Sequence, residues 1–300
     1  MKTESSQIRS VIYRGVIPFI LLIGIACRLN AGEMFADSPL NLVLRRSVET
    51  QKGSGNWRET EQKASWDPAQ TAVVICDMWN RHWCESATRR VAEMAPRMNQ
   101  VVRRLRDRGA LIIHCPSDTM EFYKDHPGRK LALAAPKVAT EFPIDAWVGL
   151  QPAIEPPLPI DDSDGGCDDV PPRAEPKGPP WPWTHQIDTI EILPGDAIAD
   201  DAQVYYLMRQ RGITQAIVMG VHANMCVLGR PFSIRQLVRL GMQVALMRDM
   251  TDTMYNPKSR PFVDHFSGTD LVINHIEKYW CPTITSDQVV GGEPFQFSRR

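Results

Sequence analysis

Four short apolar runs constrain the fold of this chain more than any other feature of its sequence. They span residues 71–76, 110–115, 215–220 and 243–247, with amphipathic stretches between them. Apolar runs without polar alternation are typical of strands buried on both faces, and strands that alternate with helices form parallel sheets through right-handed crossovers. The pattern predicts an α/β fold, a doubly wound and mainly parallel sheet with helices on both faces.

Three amphipathic stretches are predicted as helices of this fold. They span residues 95–108, 200–211 and 225–240, and each ends one residue before a glycine, a residue that commonly follows the last turn of a helix. In the first stretch the apolar residues recur at helical spacing, so one face is expected to pack on the sheet. The chain has no internal repeat, and we predict a single domain over residues 68–300.

The first 31 residues are predicted to be a secretory signal peptide. Basic residues precede an apolar run at 16–27, and the small residue Ala31 follows it, which is the usual order of such a signal. The alternative is a membrane anchor, but an anchor needs about 20 apolar residues, and Arg28 ends this run earlier. We therefore expect removal of residues 1–31 and export to the periplasm or the medium.

Two further segments lie outside the α/β pattern. Residues 32–67 form an amino-terminal extension, and within it 40–66 alternates polar and apolar residues around a Gly-Ser-Gly turn, which predicts a two-stranded hairpin. Eleven of the 24 prolines fall within 143–182. This clustering marks an irregular insertion at about 136–186.

The insertion has two features of its own. Five aspartates lie within 161–169, and clustered carboxylate oxygens can hold Ca²⁺. The alternative is a solvated surface loop, because the glutamate that closes an EF-hand loop is absent. Trp181 and Trp183 lie near the end of the insertion, and long irregular loops in compact domains are often functional or lid-like.

Composition excludes several classes of function. The 34 basic and 35 acidic residues are intermixed and the formal net charge is −1, so no excess charge would draw the chain to nucleic acid or anionic lipid. Seven cysteines in 300 residues are too few for a disulfide scaffold. We expect no nucleic-acid partner and, after removal of the signal, no membrane partner. Homo-oligomer formation is left open.

Residues able to do chemistry follow the apolar runs, at the edge where parallel sheets bind their ligands. Asp77 follows the first run, and Cys226 begins the predicted helix after the third. A thiol at the start of a helix has a lowered pKa, which makes Cys226 a candidate nucleophile. Asp77, on a neighbouring strand, is placed to take the thiol proton and return it to a leaving amine. The alternative is a buried structural cysteine and an aspartate in a turn.

These two residues belong to a pattern that resembles the isochorismatase-like cysteine hydrolases, which include nicotinamidases and ureide-cleaving amidohydrolases. Asp77 and the sequence Gly-Val-His-Ala-Asn-Met-Cys-Val at 220–227 carry the resemblance, which extends over about 68–255. It implies a six-stranded parallel sheet, attack by Cys226 on an amide carbonyl, and Asp77 as the base. It also implies a cis peptide bond between Val221 and His222, with backbone N–H groups near His222 and Cys226 as an oxyanion hole.

Substrate contacts are expected from two aromatic residues that follow Asp77. The resemblance places Trp79 and His82 against a planar substrate. No metal is expected, because His82, His114 and His126 lack the Asp-x-His spacing that some nicotinamidases use, and no other cofactor is implied.

The chain departs from the family pattern at its third catalytic residue. A lysine normally precedes the cysteine by some tens of residues, but no lysine lies between Lys177 and Cys226. His185 and Glu191 are the candidates to occupy its place, and the alternative is that Lys177 reaches back from the insertion. His185 is favoured because a protonated histidine supplies the positive charge that stabilises a thiolate, whereas a glutamate opposes it.

The sequence therefore predicts an exported cysteine hydrolase that acts through a Cys226 thioester. Its small-molecule substrate contains a non-peptide C–N bond, as in a small amide, a ureide or a nicotinamide-like compound. One alternative is a catalytically silent small-molecule binder, because the expected lysine is missing. Another is a hydrolase of the isochorismatase ether, but members with that activity lack the nucleophilic cysteine.

Overall fold

The computed structural model describes residues 38–171 and 173–298, and eight strands of this part of the chain form one sheet. The predicted signal peptide, residues 1–31, lies outside the described residues. The strands are β1 (Leu40–Glu49), β2 (Trp57–Trp66), β3 (Thr71–Cys76), β4 (Leu111–Cys115), β5 (Ala197–Ile198), β6 (Gln215–Val221), β7 (Gln243–Asp252) and β8 (Thr283–Ile284).

Helices cover both faces of the sheet. A 3-10 turn at Pro68–Gln70 leads into β3. The α-helices are α1 (Glu85–Asp107), α2 (Pro127–Leu133), α3 (Gln203–Gln210), α4 (Cys226–Gly229), α5 (Ile234–Arg239), α6 (His265–Tyr279) and α7 (Asp287–Val290). Among the residues described, no helix combines the length and the hydropathy needed to cross a membrane.

The sheet confirms the predicted fold class but has more strands than expected. The strand order is β2-β1-β8-β7-β6-β3-β4-β5, and the six strands from β8 to β5 are parallel. The hairpin expected at 40–66 is present as β1 and β2, and β1 also pairs antiparallel with β8 through Arg45 and Thr283. The sheet therefore has eight strands rather than six, because the hairpin covers what would otherwise be an exposed edge.

The unbroken apolar runs are explained by two hydrophobic cores, one on each face of the sheet. All six residues of β3 are buried. Val73 and Ile75 pack with α1 on one side, whereas Ala72 and Val74 pack with α3, α5 and α6 on the other. Burial of each such aliphatic side chain contributes about 1.5–3 kcal/mol, so both faces of the central strands are selected for apolar residues.

Helix α1 begins ten residues before the predicted start at residue 95. Its first turn is capped from the insertion, because the Asp169 carboxylate accepts hydrogen bonds from the N–H groups of Glu85 and Ser86, each at 2.8 Å. A carboxylate satisfies amides that have no acceptor within the helix. Residue 169 is far from the helix in sequence, and for this reason the local pattern does not reveal the cap.

The helix predicted over 225–240 is wrong, because the chain forms two short helices, α4 and α5. Arg230 lies between them in an extended conformation, with φ −65° and ψ 157°. The ring of the following Pro231 disfavours the α conformation for the preceding residue. The break turns Arg230 away from the helical path.

The described cysteines divide into one disulfide and four free thiols. Cys84, at the start of α1, is bonded to Cys167 in the insertion. Cys76, Cys115, Cys226 and Cys281 are free and buried.

Candidate active site

The candidate site lies at the carboxyl ends of β3 and β6. These strands are adjacent and parallel, with Cys76 opposite Gly220, so the loops that follow them lie side by side. Gly220 has φ +112°, and a Cβ there would collide with the carbonyl oxygen of Cys76. Only glycine allows this close approach of the two backbones. The neighbouring strands expected for Asp77 and Cys226 are therefore present.

Asp77 is fully buried between the two loops. Its Oδ1 accepts a hydrogen bond of 2.7 Å from the N–H of Ser117, and its Oδ2 lies 3.5 Å from Arg230 Nε. Burial raises the pKa of Asp77, while the Arg230 charge and the hydrogen bonds act in the opposite direction. Asp77 has φ +47°, a left-handed conformation, so the chain leaves the direction of β3 at this residue.

Arg230 is the cation of the site, and the sequence interpretation did not identify it. Its guanidinium pairs with Asp77 and also with Asp118 at 3.1 Å, and it lies over the ring of Trp147. The two carboxylates and the Cys226 sulfur raise its pKa despite the opposing effect of burial. Its signal in the sequence is an arginine four residues after the candidate nucleophile and directly before a proline.

Cys226 lies beside both of these charged groups. Burial raises the pKa of its thiol well above the usual value, Asp77 raises it further, and Arg230 lowers it. The thiol pKa is thus raised, although the sequence predicted a lowered one, because α4 has only four residues and the sulfur is shielded from water. The resting form of Cys226 is a protonated thiol beside Asp77.

The loop between β6 and α4 has the geometry that the family resemblance implied. The Val221–His222 peptide bond is cis. The side chain of Asn224 holds this loop, since its Oδ1 accepts from Met254 N–H and its Nδ2 donates to Asp162 Oδ2 and to Met254 O. As the first residue of α4, Cys226 has a backbone N–H without an acceptor inside that helix.

Four aromatic rings form a stack beside this loop. Trp183, from the insertion, lies 4.2 Å from Trp79 and 5.0 Å from Trp181 between ring centroids, and 5.5 Å from His82. His82 in turn contacts His222 edge-on at 5.1 Å. Of the two residues expected to bind substrate, His82 therefore contacts the loop that carries Cys226, and Trp79 stacks on Trp183 beside it. Burial, with a smaller effect of Arg90, lowers the pKa of His82 to about 4, so its ring is neutral.

His185 and Glu191, the candidates for the third catalytic residue, lie elsewhere. The His185 ring stacks on Phe122, with its nitrogens near Thr184 and Asp188. Glu191 pairs with Arg103 of α1 at 2.8 Å. The backbone of His185 pairs with the loop after β3, where Asn80 N–H donates to His185 O, but its ring contacts Phe122, Thr184 and Asp188. The position beside Asp77 and Cys226 is occupied by Arg230. Their place in the sequence resembled that of the family's lysine, but the course of the insertion carries their side chains to other partners.

The aspartates of the insertion do not converge on a common point. Asp162 accepts from Asn224, Asp164 from Asn256 and Ser259, Asp168 from Arg90, and Asp169 from the start of α1. These four carboxylates fasten the insertion to the domain, and among the described residues no three aspartates of the insertion are close enough together to share an ion.

Side chains with metal-binding chemistry are likewise engaged by protein groups. Cys84, Cys167 and Asp169 are the group close enough to share an ion among the described residues, but the two sulfurs are bonded to each other. His114 contacts Gln186 and Asp196, and His126 caps α2.

Among the comparisons with known proteins, only the one with solved structures gave matches. No family model and no curated protein matches the chain. A cysteine hydrolase from Pseudomonas syringae pv. phaseolicola 1448A is 16% identical with a TM-score of 0.46, over 75% of this chain and 93% of that one. An isochorismatase from Pseudomonas putida KT2440 is 12% identical with a TM-score of 0.45, over 74% and 91%. An isochorismatase-like hydrolase from Alkaliphilus metalliredigens is 16% identical with a TM-score of 0.40, over 74% and 96%.

The TM-scores of these solved structures are below 0.5, so we infer function from the side chains of this chain.

Proposed function

We propose that this protein is a cysteine hydrolase that cleaves a non-peptide C–N bond, in a small amide, ureide or nicotinamide-like substrate, through a thioester on Cys226. One observation carries the proposal: a buried carboxylate, a buried thiol and an arginine lie together at the carboxyl edge of a parallel sheet. Buried titratable groups with strongly shifted pKa values are typical of catalytic sites.

In the first half of the reaction, the thiol proton passes to Asp77 as the Cys226 sulfur attacks the carbonyl carbon. The backbone N–H of Cys226 stabilises the resulting oxyanion. The C–N bond then breaks, and Asp77 returns the proton to the leaving nitrogen, which departs as an amine or ammonia. The product of this half is a thioester.

In the second half, water attacks the thioester carbon and Asp77 takes its proton. The C–S bond breaks, the acid product leaves and the proton returns to the sulfur. The raised pKa of Asp77 suits this role, because a carboxyl group with a pKa nearer neutrality exchanges protons more readily at working pH.

Arg230 supplies the positive charge that a lysine provides in the family pattern. A guanidinium stays protonated in proteins, so Arg230 stabilises the carboxylate and the developing thiolate without taking part in proton transfer. Asp77 is then the single proton carrier of the pair. Arg230 therefore has the role that was predicted for His185, which is to stabilise a thiolate with a positive charge.

We also propose that the protein is exported. The order of charges and apolar residues in 1–31 supports removal of a signal peptide. A disulfide between Cys84 and Cys167 supports an oxidising compartment, where such bonds form and persist.

The decisive experiment is release of ammonia or amine by the purified protein from a panel of small amides, ureides and nicotinamide. We expect turnover of at least one compound, and loss of that turnover in Cys226→Ala. Binding of panel compounds without turnover would instead support the silent binder. Turnover that survives in Cys226→Ala would exclude the thioester.

A further inference from the structure

The indole of Trp183 carries a buried polar atom that has no partner. Trp183 is 8% exposed, and its Nε1 has no hydrogen-bond acceptor among the described residues. An indole N–H is a donor only, and buried donors in proteins are almost always paired with protein, water or ligand. Since Trp79 and Trp181 stack nearly parallel to this ring, its edge is the part able to make a polar contact.

A second buried polar atom without a partner belongs to the nucleophile loop. His222 is 2% exposed, and its Nε2 has no partner among the described residues. The rings of Trp183 and His222 both contact His82, at 5.5 and 5.1 Å between centroids. Burial lowers the pKa of His222 well below its usual value, so this imidazole is neutral. The two atoms come from different segments, the insertion and the loop that carries Cys226.

The charges around this aromatic cluster are already paired. Arg230 is bound by Asp77 and Asp118, and Arg90 by Asp168 and Asp252. Because each arginine is shared by two carboxylates, the carboxylate of a buried ligand would have no free cation among these residues, and burial of an unpaired charge is strongly unfavourable. The cluster therefore suits a ligand that has no carboxylate and carries a neutral hydrogen-bond acceptor.

We propose that Trp183 and His222 determine substrate specificity by binding a second polar group of a planar substrate that has no carboxylate, at the side away from the scissile bond. This inference rests on the proposed function and narrows the class of substrate. The Trp183 N–H requires an acceptor, such as a second carbonyl oxygen or a ring nitrogen. Substrates that carry a carboxylate are excluded.

The insertion holds Trp183 in place for this contact. Asn80 Oδ1 accepts from Thr184 N–H at 3.0 Å, Asn80 N–H donates to His185 O, and Asp162 binds Asn224 of the nucleophile loop. A donor fixed in this way loses little conformational freedom when the substrate binds, which increases its contribution to discrimination.

The test compares substrates that differ by one acceptor: nicotinamide with benzamide, and acetoacetamide with butyramide. We expect wild-type kcat/KM to be at least about 10-fold higher for the member with the acceptor, because a site built to bind an acceptor discriminates against its absence. In Trp183→Phe, which keeps an aromatic ring but removes the N–H, the ratio falls toward one. Trp181→Phe is the matched control and retains the wild-type ratio.

Three results would overturn the proposal. These are equal wild-type rates for both members of the pairs, an unchanged ratio in Trp183→Phe, or preferred hydrolysis of a carboxylate-bearing ureide such as N-carbamoylglycine. If no compound is hydrolysed, the proposed function fails separately. Calorimetric binding of nicotinamide and benzamide to wild type and to both tryptophan variants then decides the inference, by the same comparison of ratios.

Discussion

At the scale of single residues, the main finding is that an arginine stands where the chemistry requires a cation. Arg230 reaches Asp77 because Pro231 ends α4 after one turn and leaves the arginine extended. Cys226 and Asp77 alone would form a buried pair that carries one uncompensated negative charge, whichever of the two holds the proton. Arg230 provides that compensation.

We expect Arg230→Ala to lower kcat/KM by about 10²–10³-fold, the usual effect of removing one electrostatic contact in a catalytic site. Loss of the cation raises the pKa of Asp77 further, since Arg230 opposes the effect of burial. Activity needs the Asp77 carboxylate, so the acid limb of the pH–rate profile moves to higher pH. Steady-state kinetics across pH measure both effects.

Two variants serve as controls for this prediction. Arg230→Lys keeps a positive charge and should retain part of the activity, with a smaller displacement of the acid limb. Arg239→Ala removes an arginine of the same exposure, 21%, that pairs with Asp145 outside the site, and should leave the profile unchanged. An Arg230→Ala enzyme with wild-type kinetics would show that the cation has no role.

At the scale of secondary structure, side chains of the insertion form hydrogen bonds and ion pairs with helices and loops of the domain. Asp169 caps α1, and Asp162 binds the loop that carries Cys226. The segment that includes Glu155 is fixed in the same way, because its buried carboxylate pairs with Arg235 of α5 and binds His275 and Trp280. Residues of the insertion therefore bind helix α1, helix α5 and the loop that carries Cys226.

We predict that Asp169→Ala destabilises the protein by about 1–2 kcal/mol, the range for loss of a helix cap. Burial raises the pKa of Asp169, but hydrogen bonds from Ser86 and Glu85 outweigh this and lower it below 3.8. The stabilisation is therefore complete above the unfolded pKa and is lost as pH falls through the folded one. Urea unfolding at neutral pH and in acid should show the difference from wild type shrinking in acid.

An exposed aspartate gives the matched control for the cap. Asp125→Ala removes a carboxylate at the surface and should change stability by less than about 0.5 kcal/mol at either pH. An Asp169→Ala difference that stays constant in acid would mean that the effect does not come from the ionised carboxylate.

At the scale of the whole molecule, the Cys84–Cys167 disulfide joins the insertion to the start of α1 across 83 residues of sequence. A covalent link over a loop of this length restricts the unfolded chain strongly. It also connects the insertion, which carries Trp183, to the segment that carries His82. The disulfide thus supports the geometry of the proposed binding site as well as the fold.

We expect the double variant Cys84→Ser/Cys167→Ser to be less stable than wild type by about 2–4 kcal/mol. Thermal unfolding with and without dithiothreitol measures this. Reductant should lower the Tm of the wild type toward that of the variant and leave the variant unchanged. A wild-type Tm that does not respond, with both thiols free by mass spectrometry, would contradict the bond.

The sequence by itself determined the parallel strands and the meeting of Asp77 with the Cys226 loop. Unbroken apolar runs report burial on both faces, and residues that follow adjacent parallel strands must emerge at one edge. The tertiary structure alone decided that Arg230 is the cation, that His185 and Glu191 lie elsewhere, and that Asp169 begins α1. The physical reason is range: hydrophobic periodicity and backbone sterics act over a few residues, whereas contacts across an irregular proline-rich insertion depend on how the whole chain packs.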